Sequence, residues 1–170
     1  MRMILSRILP GALAALMVSF AAAAEPLPAP KGTPILTVTG KIGTTNDGTA
    51  AQFDRDMLEQ IGTVSFETAT PWHKGVVRFE GVPLAKVLDR VGAQGASLVA
   101  VALNDYSVEL PASDARDFPV VLALKQDGAY LPVTDKGPLF IVYDYDSVDG
   151  LASPKFYSRS VWQLRSLEVR

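Results

Sequence analysis

Val76-Val77-Arg78-Phe79-Glu80-Gly81-Val82-Pro83-Leu84-Ala85-Lys86-Val87-Leu88-Asp89-Arg90-Val91-Gly92 passes from one kind of secondary structure into another. Val76 to Phe79 is short and β-branched and reads as a strand. Pro83 suits the first position of a helix, where its missing N–H costs little. Leu84, Val87, Leu88 and Val91 then fall at i, i+3, i+4 and i+7, one face of a helix, and Gly92 closes it. Upstream, Ile35 to Thr39 is a β-branched strand ended by Gly40, and Thr44 to Gly48 is a polar turn. Ala50 to Ile61 reads as a second helix, with Phe53, Met57, Leu58 and Ile61 on one face, Thr49 or Asp47 as cap and Gly62 as its end. Thr63 to Thr68 alternates as a half-buried strand does.

Downstream the pattern is mostly β. Ser97 to Leu103 is a continuous apolar run that suits a strand buried on both faces. Tyr106, Val108 and Leu110 alternate with polar residues, and Pro111 to Asp117 reads as a helical turn. Val120 to Leu124 is another buried strand, followed by a Lys125-Gln126-Asp127-Gly128 hairpin turn. Leu139 to Tyr143 and Val161 to Val169 are further strands, the last placing Trp162 with Leu164 in the core. No internal repeat is present. The expected fold is α+β: a mostly β, mixed sheet with two main helices.

The first residues belong to a different kind of segment. Arg2 and Arg7 precede an uncharged apolar run, Ile8 to Phe20, and Ala22-Ala23-Ala24 offers a cleavage site before Glu25. That pattern predicts a secretory signal peptide over 1–24. The alternative is an uncleaved membrane anchor, but the run is short against the roughly 20 apolar residues a span needs, and it contains Pro10-Gly11. A leader with four prolines follows over 25–34 and reads as extended or frayed, before one domain over 35–170. The signal is bacterial in style and implies a periplasmic location.

The whole chain has 16 basic and 18 acidic residues, and loss of Arg2 and Arg7 takes its net charge from −2 to about −4. Such a surface is a poor match for nucleic acid, which needs concentrated Lys and Arg. There is no cysteine, so disulfides, thiolate metal sites and cysteine nucleophiles are excluded. His73 is the only histidine, which excludes a multi-histidine zinc or copper site.

Four phrases stand in order: Phe79-Glu80-Gly81-Val82-Pro83-Leu84, Asn104-Asp105-Tyr106, Lys136-Gly137-Pro138-Leu139 and Arg159-Ser160-Val161-Trp162. With the strands and hairpin between them, they resemble the molybdopterin-binding domain of sulfite oxidase-type oxidoreductases, from about Pro34 to Arg170. In those enzymes a cysteine before the Gly-Val-Pro-Leu helix binds molybdenum. The matching region here, Thr68 to His73, has none. The chain is most similar to small, exported, cysteine-less members, among them periplasmic pterin-binding regulators of membrane-bound cyclic-di-GMP enzymes. Their closing Arg-Ser-Val-Trp-Gln-Leu stands here as Arg159 to Leu164. Thr134 and Asp144 depart from the family pattern, where a basic residue and a proline are expected.

The resemblance implies a non-catalytic pterin-binding protein with no molybdenum and no catalytic or metal-ligating residues. Its implied partner is the periplasmic domain of an inner-membrane cyclic-di-GMP cyclase or phosphodiesterase. The alternatives are a small molybdopterin-dependent oxidoreductase or its accessory subunit, or a structural subunit with a vestigial pocket.

A pterin needs an aromatic or apolar wall, an acceptor for its 2-amino and N3 hydrogens, and a donor or cation facing its carbonyl and ring nitrogens. Trp72, on a proline-containing loop, reads either as a packing residue or as a stacking wall, with His73 beside it either structural or hydrogen-bonding. Asn104 and Asp105 form good turn chemistry and also suit the ring edge, with Tyr106 in the wall. The resemblance assigns Lys136 and the Arg159-Ser160 pair to cofactor contacts; their plainer readings are a solvated hairpin lysine and a surface salt bridge. Tyr143-Asp144-Tyr145-Asp146 with Asp149 reads as a solvated acidic loop or as a surface that docks a basic partner.

Overall fold

A computed structural model describes residues 26–170; the expected signal peptide at 1–24 lies outside the described residues. In chain order the elements are β1 (Leu36–Gly40), β2 (Ala51–Phe53), α1 (Arg55–Ile61), β3 (Val64–Ala69), β4 (Val76–Pro83), α2 (Leu84–Arg90) and β5 (Ser97–Ala102). They continue with β6 (Ser107–Pro111), α3 (Asp114–Asp117), β7 (Val120–Gln126), β8 (Ala129–Tyr130), β9 (Phe140–Tyr143), α4 (Pro154–Tyr157) and β10 (Leu164–Val169). This is an α+β fold made mostly of strands. The strands form two five-stranded sheets rather than one.

The first sheet runs β2-β1-β10-β5-β6 and is mixed, because β1 pairs with β10 in parallel while its other pairs are antiparallel. The second runs β3-β4-β7-β8, with β9 also paired to β7. Val120 to Leu124 of β7 is buried throughout, as its unbroken apolar run predicts. Strand β5 differs from expectation. It alternates, with Leu98, Ala100 and Ala102 buried and Ser97, Val99 and Val101 half-buried, because only one face of its sheet meets the core.

The segment over 50–61 divides in two. Ala51 to Phe53 pairs antiparallel with β1, placing Phe53 in the core as a strand residue. Asp54, rather than Thr49 or Asp47, then caps α1: its Oδ1 accepts from Met57 N at 2.9 Å. The helical spacing of Phe53 and Met57 misleads because strand and helix turn their apolar residues toward the same core. Asp54 Oδ2 also accepts from Gly32 N and Lys31 N, each at 2.8 Å, and the backbone donors, Gly32 and Met57 foremost, hold its carboxyl below the usual carboxylate range. Leu27 is buried and Pro28 O accepts from Asn46 Nδ2 at 2.7 Å, so the proline-rich segment from 26 is packed down rather than frayed.

Strand β4 runs on to Pro83, which caps α2 instead of opening it. The pairing of β4 with β7 shifts register between Glu80 and Gly81. A Cβ on Gly81 would stand 2.1 Å from Leu122 O, so only glycine fits there. The Asp127-Gly128 turn forms as expected, with φ of +48° and +83°, the pattern of a type I′ hairpin.

Candidate ligand pocket

The loop between β3 and β4 carries Trp72, and side chains hold that loop at its start and from within. At its start, Ala69 N donates to Asp146 Oδ2 at 2.7 Å and Thr68 Oγ1 donates to the same oxygen at 3.2 Å. Within it, Thr70 Oγ1 lies 2.7 Å from His73 Nδ1 and accepts from Trp72 N at 3.3 Å. The indole is thereby set among four rings, edge to face: Phe140 at 5.6 Å, Trp162 at 5.6 Å, Tyr157 at 5.9 Å and Tyr145 at 6.4 Å between centroids. Such pairs each contribute about 0.5–1.5 kcal/mol beyond burial. Trp72 is therefore both a packing residue and a wall.

The wall belongs to a cavity of about 380 Å³, within the roughly 300–1,000 Å³ usual for small-molecule sites. Trp72, Tyr106, Tyr157 and Trp162 give it an aromatic lining, Ala102 and Val161 an apolar one, and Asn104 and Ser160 its side-chain polar groups. No charged residue is among those that line it. Tyr106 and Trp162 are partly exposed and reach solvent.

Four of the eight expected site residues meet here: Trp72, Asn104, Tyr106 and Ser160. Asn104 serves turn and pocket together. Its Oδ1 accepts from Tyr106 N at 3.1 Å, while its Nδ2 makes no hydrogen bond among the described residues. Ser160 Oγ shares a short hydrogen bond with the Tyr145 hydroxyl and donates to Phe156 O at 3.3 Å.

The other four lie elsewhere. Asp105 takes φ +65° in the turn and its carboxylate, mostly exposed, pairs with Arg165 at 2.7 Å. It faces Arg165 rather than a ring edge. Lys136 Nζ pairs with Asp135 at 2.9 Å, and it is the Lys136 carbonyl that meets the pocket segment, accepting from Gln163 N at 2.9 Å. Arg159 turns to Asp114, Nη1 to Oδ2 at 2.7 Å, with its guanidinium over the Phe156 ring. This is a largely buried pair, not the surface salt bridge of the plainer reading.

His73 sits behind the wall, its ring edge-on to Phe79 at 5.7 Å. Burial, and then the nearby Lys136 charge, lower its pKa and keep the imidazole neutral. Gln126 stands close enough to favour protonation somewhat, yet His73 Nε2 and Gln126 Oε1 are both buried without a hydrogen bond among the described residues. His73 braces the loop and does not line the cavity.

Two lining residues run against or escape the sequence reading. Trp162 is expected in the core beside Leu164, but Gln163 adopts φ +51° and β10 begins only at Leu164. The break takes Trp162 off the strand's inner face and leaves it 38% exposed at the cavity. No Gly, Pro or Asn marks that break. Tyr157 ends the single-turn helix α4, too short to carry a periodic stripe. The acidic aromatic run is corrected as well: Tyr143 and Tyr145 are buried, and only Asp146 to Gly150 is exposed.

A larger, more open depression of about 760 Å³ lies between Pro26–Pro28 and the two main helices. It shares no residue with the aromatic cavity, and Phe53 is its one aromatic lining residue. The smaller cavity is therefore the better candidate for a planar ligand.

A family model described as the oxidoreductase molybdopterin binding domain matches residues 51–145, more than half of the chain. A search of curated proteins gave no match.

Proposed function

This chain belongs to the oxidoreductase molybdopterin-binding domain family, and on that premise we propose that it is a non-catalytic, exported pterin-binding protein. The observation that carries the reading is the charge-free aromatic cavity around Trp72 and Trp162. A flat heterocycle gains stacking and edge contacts there, and the free Asn104 amide offers a donor to a ring carbonyl or nitrogen.

The family cofactor has three parts, and they fit unequally. The ring suits the aromatic lining. A phosphate tail finds no Lys or Arg on it, since Arg159 is committed to Asp114 and Lys136 to Asp135. A molybdenum centre finds no thiolate, imidazole or carboxylate there. The donor set thus favours a free pterin over a metal-bearing, phosphorylated one.

In this reading the loaded protein signals to the periplasmic domain of an inner-membrane cyclic-di-GMP enzyme. That coupling requires the partner to bind loaded and empty forms with different affinity. Support comes from the resemblance in the closing Arg159 to Leu164 phrase and from the missing metal-binding cysteine.

Thermal denaturation with added tetrahydrobiopterin-like or monapterin-like compounds tests the binding step. At a hundredfold excess over Kd, a ligand specific for the folded state adds about 2.7 kcal/mol, a rise in Tm on the order of 5–10 °C for a domain of this size. An unchanged Tm across such a series contradicts the proposal.

A further inference from the structure

Half of the residues lining the aromatic cavity come from one short stretch: Tyr157, Ser160, Val161 and Trp162. Beyond Tyr157 this stretch has no regular secondary structure until β10 begins at Leu164. Its place is therefore set by individual anchors. Ile141 N donates to Val161 O at 3.0 Å and Gln163 N to Lys136 O at 2.9 Å. Bonds from Leu103 N to Gln163 O at 2.8 Å and from Gln163 Nε2 to Val133 O at 2.7 Å add to these, and Ser160 Oγ meets the Tyr145 hydroxyl. The ionic anchor is Arg159, and it holds a residue outside the cavity.

Asp114, at the start of α3, is 3% exposed. One of its oxygens, Oδ2, accepts from Arg159 Nη1 at 2.7 Å and from the Tyr143 hydroxyl at 2.8 Å. It thus joins α3, the end of β9 and the segment after α4. Burial and the adjacent carboxylate push the Tyr143 phenol far above its ordinary range, so it stays a donor. The arginine lies over the Phe156 ring, which packs against Phe118 at 5.0 Å and Tyr143 at 5.4 Å. Charge-assisted bonds in such surroundings are among the stronger and more geometrically exacting contacts in a protein.

We propose that Asp114 is a positioning residue for the cavity: through Arg159 it fixes the 157–162 segment, and Arg159 grips the protein rather than the ligand. This rests on the pterin reading of the cavity. It separates two roles for the same arginine. A ligand-gripping arginine discriminates between a ring and its phosphate ester; a positioning arginine acts equally on both.

The two tryptophans of the chain, Trp72 and Trp162, both line the cavity, so tryptophan emission reports on it directly. The full mature chain is titrated with 6-hydroxymethylpterin and with its phosphate ester, at low and at high salt. Arg159→Gln should weaken both probes by the same factor, tenfold or more, at either salt concentration, and should red-shift the unliganded emission as Trp162 loses its setting. Asp114→Asn should reproduce these losses, and the double variant should bind no more weakly than either single one, because both remove one contact. Arg159→Lys, which keeps a cation for Asp114, should return both probes to within threefold of the parent.

If Arg159→Gln does not fold, Arg159→Lys carries the test, since whatever loss it shows must be equal for the two probes. A loss confined to the ester, or additive losses in the double variant, overturns the proposal. So does unchanged binding in folded Arg159→Gln and Asp114→Asn. Failure of both probes to quench the parent protein instead removes the pterin reading, and this inference with it.

Discussion

Trp162 is the residue on which sequence and structure part most instructively. Alternation places it in the core with Leu164, two positions along one strand. A single positive φ at Gln163 undoes that placement and brings the indole to the cavity beside Trp72. Its exposure distinguishes the two tryptophans by experiment. Trp72 touches four rings, so truncating it damages the core as well as the site. Trp162→Ala is the cleaner variant. It should weaken pterin binding by about 1–3 kcal/mol, the usual loss when a stacking aromatic is removed from a flat base, while lowering the Tm less than Trp72→Ala does, since its indole makes two ring contacts rather than four. Unaltered affinity measured by calorimetry would place the ligand elsewhere. At this scale the sequence marks residue types well and their directions poorly. Asn104, Tyr106 and Ser160 reach the cavity, but Asp105 and Arg159 turn to ionic partners distant in sequence, Arg165 and Asp114.

Among the elements, the β3–β4 loop has the most consequence, because it sets Trp72. Its brace is His73, held to Thr70 and half-buried with its ring edge-on to Phe79. The groups bearing on its charge are Lys136, which opposes protonation, and Gln126, Asp135 and Asp127, which favour it. Burial, reinforced by Lys136, wins, so the folded pKa lies below the ordinary 6.5. The unfolded chain then binds the proton more readily. The stability due to the neutral imidazole is complete above about pH 6.5 and declines as the pH falls below that value. Urea denaturation at pH 7.5 and pH 5 should show this decline, and His73→Gln should flatten it. An equal pH dependence in the variant would assign the effect to other groups. The elements themselves were legible where period and punctuation agree, as in α2 and the Asp127-Gly128 hairpin. They were misread where one apolar face continues through a change of structure, as at Phe53 to Met57. There the cap Asp54, which ties down the 31–32 backbone as well, is the true boundary.

Across the whole molecule, two sheets bring together loops far apart in the sequence. The cavity takes Trp72 from the β3–β4 loop, Asn104 and Tyr106 from the β5–β6 turn, and Tyr157 to Trp162 from the approach to β10. The α+β class and the mostly β content follow from local patterns and are borne out. The division into two sheets is not local information: it depends on β10, last in the chain, pairing between β1 and β5. The same long-range pairing assembles the site, so the sequence names about half of its lining and misses the rest. The central claim is that this assembly holds a pterin ring without its metal. Mass spectrometry of the protein purified from its native host, with elemental analysis of the same sample, tests it most directly. The predicted result is one pterin per chain, released intact on denaturation, with no stoichiometric molybdenum. Molybdenum at one atom per chain, or no bound heterocycle at all, would contradict it.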